Sequence, residues 1–62
     1  MKYLATIEFG QESSSKSFDN HKEAQTWLDT QNNNGMYKTR IDIMNDKWIV
    51  MDSYIYTEGA GE

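Results

Sequence analysis

The chain contains no cysteine, so neither a disulfide nor a thiolate-bound metal can staple it. It has a single histidine, His21, whereas a zinc site needs three or four converging ligands. Asp42, Asp46 and Asp52 do not match the alternating spacing of a calcium loop. No stretch approaches the roughly 18–20 consecutive apolar residues of a membrane-spanning helix. Basic residues are the minority: six Lys and Arg against ten Asp and Glu, a net charge of −4. That balance argues against a protein that coats nucleic acid, because phosphate contacts supply most non-specific affinity. Ile, Leu, Val and Phe total 10 of the 62 residues, under the rough 20% line associated with disorder.

What is present offsets that shortage. Two Trp, four Tyr, two Phe and four Met carry apolar area, each aromatic burying roughly 150–250 Å². A chain of 62 residues makes one domain at most, near the lower limit for independent folding. Such a small core comes out close to zero net stability on area arithmetic. Oligomerisation or a bound partner is therefore an expectation from size alone. Glu8 interrupts the N-terminal apolar stretch too early for a secretory signal, and a cytoplasmic location is the default expectation.

Residues 2–9 alternate, with Tyr3, Ala5, Ile7 and Phe9 on one side and Lys2, Leu4, Thr6 and Glu8 on the other. That period of two predicts a strand with one apolar face. Residues 10–17 hold one glycine and four serines, a composition that predicts a loop. Asn20 followed three residues later by Glu23 has capping-box spacing and predicts a helix to about Gln31. Its apolar stripe is Ala24, Trp27 and Leu28. The run Asn32–Gly35 should stop it. Residues 36–44 alternate again, and residues 48–57 form the most apolar and aromatic segment.

The turn between these last two segments decides which residues face the core. A three-residue loop, Asn45–Lys47, would pair Met44 with Trp48, Ile43 with Ile49, Ile41 with Met51 and Arg40 with Asp52. Ile41, Ile43, Ile49, Met51 and Ile55 would then share the core face. A one-residue slip reverses every side chain, so the apolar set favours this register. The prediction is an α+β domain over residues 1–57, with a tail at 58–62. Its order is strand, helix, strand, strand, giving a three-stranded antiparallel sheet. The 48–57 strand sits in the centre (order 1-3-2), one helix covers one face, and Phe18 plugs an end. The alternative places strand 2–9 parallel beside strand 37–44.

One helix leaves the other sheet face open. In this register that face carries Trp48, Tyr54, Tyr56, Met44, Lys38 and Arg40. Contiguous exposed apolar area marks interaction sites, and Trp, Tyr and Arg are enriched at hot spots. Trp48, Tyr54 and Tyr56 are the predicted anchors, with Arg40 and Lys38 setting orientation. The functional expectation is a non-enzymatic protein-interaction module: a homodimer, an adaptor or an inhibitor-like accessory protein. The partner is a second copy or another protein, with no cofactor, no metal and no membrane. The alternatives are a single-stranded nucleic-acid platform on the same residues, or an acidic nucleic-acid mimic. Against the former, Glu8, Asp42 and Asp52 cancel the positive charge.

Two segments imitate chemistry. Gly10–Ser17 has a partial phosphate-loop spacing, but Phe18 and Asp19 separate it from the helix that should follow directly. A nucleophilic serine needs a nearby base and an orienting acid, whereas Ser53 is expected to face the core and Ser13–Ser17 to lie in a mobile loop.

Overall fold

The computed structural model describes residues 1–33 and 35–59. Asn34 of the predicted helix stop and residues 60–62 of the predicted tail lie outside the described residues. The chain runs β1 (Lys2–Phe9), β2 (Glu12–Phe18), α1 (His21–Gln31), β3 (Lys38–Met44) and β4 (Val50–Thr57). The strands form one sheet in the order β2-β1-β3-β4. Every neighbouring pair is antiparallel. The α+β class and the single helix on one face match the sequence reading. The sheet, however, has four strands rather than three.

The additional strand is the serine-rich segment read as a loop. Gly10 adopts φ +68 and Gln11 has no positive φ. That is the II′ pattern, with glycine at its first central position, that matches the twist of a two-residue hairpin. The turn aligns Phe9 with Glu12 and Tyr3 with Phe18. β2 is an edge strand, exposed from Glu12 to Ser17 and half-buried only at Phe18. Pairing with β1 outweighs the weak strand propensity of serine, since propensity yields to cross-strand context.

β2 and β3 both run antiparallel to β1, which lies between them. The unit β2-α1-β3 is therefore a split β-α-β. This corrects the order 1-3-2 and the parallel alternative: strand 38–44 is internal and antiparallel to strand 2–9, and the most apolar segment forms an edge.

The helix follows its sequence signals. Asn20 takes an extended conformation, and its Oδ1 accepts hydrogen bonds from the Lys22 N–H at 2.8 Å and the Glu23 N–H at 3.3 Å. Ala24 and Leu28 point inward and pack with Ala5, Ile7 and Ile41, while Trp27 lies half-buried at the margin. Phe18 meets Trp27 with ring centroids 5.9 Å apart, closing one end of the core as expected. Two alanines at the interface, Ala5 and Ala24, are fully buried and let helix and sheet approach closely.

The β3–β4 register departs from expectation for a specific reason. The connection is a five-residue loop, Asn45–Ile49. The Asn45 N–H donates to the Ile49 carbonyl at 3.0 Å and the Trp48 N–H to the Asn45 carbonyl at 3.1 Å. Asn45 Oδ1 accepts from the Lys47 and Ile49 N–H groups at 2.8 and 3.1 Å. Met44 then pairs with Val50, Ile43 with Asp52 and Ile41 with Tyr54, so Met51 is an extra residue at a bulge. That one residue reverses the facing of residues 52–55, which follow it. Tyr54 turns to the helix side and Ile55 to the open side, opposite Arg40. A second bulge at Tyr56 restores the alternation, so Thr57 pairs with Thr39. Ile49, Met51 and Ile55, expected in the core, are 55%, 63% and 38% exposed.

The phenol hydroxyls account for the choice. Tyr54 OH meets His21 Nε2 at 2.5 Å and accepts from the Gln25 amide at 3.4 Å. Tyr56 OH donates to Asp29 at 3.0 Å. Two half-buried tyrosines with partners on the helix replace the aliphatic set that simple alternation would have buried.

Candidate interaction surface

The predicted anchor residues separate in the fold. Tyr54 and Tyr56 belong to the helix side, not the open face, and pack against the core. The ring of His21 stacks on Tyr3 with centroids 5.1 Å apart and meets Tyr54 edge-on at 5.8 Å. Lys38 is exposed opposite Glu8, and Arg40 is exposed opposite Thr6. Arg40 does not pair with Asp52 across the strands, as the sequence register required. Its Nε lies 3.5 Å from Asp42 on the same strand. Met44 is buried, opposite Lys2 and Val50, and supports the surface rather than forming it. A base-stacking platform on the open face thus retains Trp48 alone.

The structure gathers a different apolar surface. Trp48, Ile49, Val50 and Met51 are consecutive and 54%, 55%, 52% and 63% exposed, with Ile55 further along the same strand at 38%. They occupy the β3–β4 loop and β4, the strand at one sheet edge. Sequence reasoning missed Ile49, Met51 and Ile55 because it assigned them to the core. The unbroken run from Trp48 to Met51 was the available signal: alternation cannot bury all four on one face.

Trp48 is held in an uncommon conformation. Its φ is +63, the only positive value at a non-glycine residue among the described residues. Glycine is the usual occupant of this loop position, and a bulky residue there costs on the order of 1–3 kcal/mol. The Lys2 ammonium lies 5.6 Å from the indole centroid, within cation–π range.

The free edges of the sheet differ in character. β2 carries Glu12, four serines and Lys16. β4 carries one charge, Asp52, among Val50, Met51, Tyr54, Ile55 and Tyr56. Natural sheets blunt exposed edges with lysine, proline or bulges, and a long apolar edge is a template for pairing. β4 has two bulges, but residues Asp52 to Ile55 between them pair with β3 in unbroken register.

Among the described residues no cluster of three His, Cys, Asp or Glu side chains could hold a metal ion, and no helix is long and apolar enough to cross a membrane. One depression of about 250 Å³ is lined by Thr6, Glu8, Gly10, Gln11, Glu12, Ser13 and Arg40. It brings two carboxylates near a guanidinium, without a histidine or cysteine.

The Tyr56 hydroxyl has its pKa raised, first by desolvation and then by its hydrogen bond to Asp29. The folded state therefore favours the neutral phenol. This contribution is fully present below the unfolded tyrosine pKa of about 10 and is lost as pH rises through the higher folded value. Urea denaturation of wild type and Tyr56→Phe should show a stability difference near neutral pH that shrinks above pH ~10. A difference constant across that range would mean that the phenol proton is not held by the fold.

Comparison of the chain with protein-family models, with curated proteins and with solved structures gives no match in any of the three.

Proposed function

We propose that this protein is a small non-enzymatic interaction module whose partner is a second copy of itself, engaged through β4 and the loop that precedes it. The observation that carries this reading is the run of four half-exposed apolar residues, Trp48–Met51, leading into an edge strand. Five large side chains exposed to this degree leave roughly 500 Å² of apolar surface, at the upper end of what monomers display. Complete burial of this surface on two copies would remove at most about 1,000 Å² from water, the lower bound of a specific interface. The marginal core of a 62-residue chain gives such association a thermodynamic role, because binding the folded form stabilises it by mass action.

Light scattering after size exclusion, over a range of concentrations, should return a mass near twice 7.2 kDa. Trp48→Gly should shift the mass toward the monomer without lowering the melting temperature measured at matched low concentration, since glycine takes φ > 0 without steric penalty. A clean monomer at every concentration would overturn the reading.

A further inference from the structure

Resting on that self-association, we propose that the two copies join edge to edge through β4, antiparallel, with Ser53 facing Ser53 on the twofold axis. The result is one continuous eight-stranded sheet with both helices on the same side.

The register follows from geometry and charge. Directly opposed residues in an antiparallel pair point to the same sheet face. A twofold axis between two identical strands therefore opposes residues whose numbers sum to an even value, and one residue must meet its own copy. The unbroken segment of β4 spans Asp52 to Ile55. Centring on Asp52 would oppose two carboxylates, which is destabilising. Centring on Tyr54 would set that bulky ring against its own copy on the helix side, where its hydroxyl already meets His21 and Gln25, and centring on Ile55 would bring the Tyr56 bulge into the pairing. Centring on Ser53 opposes Asp52 with Tyr54 inside the unbroken segment, brings the bulged Met51 near Ile55, and puts the smallest side chain of the segment on the axis, where the Asp52 Oδ1 contact to the Ser53 N–H gives way to the new ladder. β2 is a poorer self-partner: its exposed residues from Glu12 to Ser17 are all polar or charged, so pairing there would bury no apolar surface.

The absence of cysteine makes a direct test simple. Directly opposed Cα atoms in an antiparallel pair lie about 4.5–5.5 Å apart, inside the range a disulfide spans. Ser53 is exposed, so Ser53→Cys should fold. Mild oxidation should then convert most of the chain to a covalent dimer on a non-reducing gel. Ser14→Cys on the β2 edge, treated identically, should stay largely monomeric. Strong cross-linking at Ser53→Cys alone is the expected result. A wild-type dimer mass with no preference for Ser53→Cys over Ser14→Cys would overturn this geometry and leave self-association standing. A monomer mass for wild type would remove both.

Discussion

Leu28→Ala should remove most of the stability of this domain. Leu28 is 1% exposed and is the largest helix residue in the cluster with Ala5, Ile7, Ala24 and Ile41. Its fully buried neighbours across the interface are Ala5, Ile7 and Ile41, on a backbone fixed by strand pairing, so the site has little material with which to collapse. Truncations of this kind cost about 2–5 kcal/mol, the loss combining transfer free energy with a residual cavity. A domain of this size holds only about 3–5 kcal/mol in its core. Since each kcal/mol shifts the midpoint of a small domain by roughly 4–8 °C, the melting temperature should fall by at least about 8 °C. Met51→Ala is the matched control. Met51 is 63% exposed, and at low protein concentration its truncation should fall within about 0.5 kcal/mol of neutral. If the circular-dichroism melts show Met51→Ala to be the more damaging change, then the alternation predicted from sequence is the true register and the bulge is not.

Asn32→Ala should cost about 2–3 kcal/mol, through polar groups instead of a cavity. Asn32 caps the helix C-terminus, where its N–H donates to the Leu28 carbonyl. Its side chain, 7% exposed, then clasps the chain that returns to β3. Oδ1 accepts from the Tyr37 N–H at 3.0 Å, and Nδ2 donates to the Tyr37 carbonyl at 2.9 Å and to Thr57 Oγ1 at 3.3 Å. Thr57 Oγ1 in turn lies 2.7 Å from the Thr39 hydroxyl. One amide thus ties the end of α1 to the start of β3 and the end of β4. Alanine would leave the Tyr37 N–H without its partner and take a donor from the threonine pair. Hydrogen exchange should speed up first at Tyr37 and Thr57, ahead of the helix, as local opening does when one link of a network is cut. A stability loss below about 0.5 kcal/mol, with exchange at Tyr37 unchanged, would show that the clasp contributes nothing.

Asn32 also shows how a correct local reading can understate a residue. In the sequence it belongs to a run of asparagines whose composition marks a helix stop, and the helix does stop there. Its second role depends on β4 returning beside β3, which no local pattern encodes. The same holds for Tyr54 and Tyr56. Their hydroxyls find His21, Gln25 and Asp29 only after the helix is laid across the sheet.

The sequence alone determined the elements whose signals lie within a few residues of one another. These are the β1 alternation, the Asn20 cap, the Ala24–Trp27–Leu28 stripe and the alternation of residues 38–44. Each is decided by short-range sterics and periodicity. Tertiary structure decided what those signals leave degenerate. The serine segment became a strand because β1 offered it a ladder. The most apolar segment became an edge because β1 occupies the position beside β3. Above all, a single extra residue at Met51 chose which of two faces of β4 is buried. Strand side chains repeat every two residues, so one bulge exchanges the faces completely. The choice between a buried aliphatic face and a buried tyrosine face depends on hydrogen-bond partners more than twenty residues away on α1. That distant choice turned Ile55 to the surface beside Trp48, Ile49, Val50 and Met51, where the proposed pairing takes place.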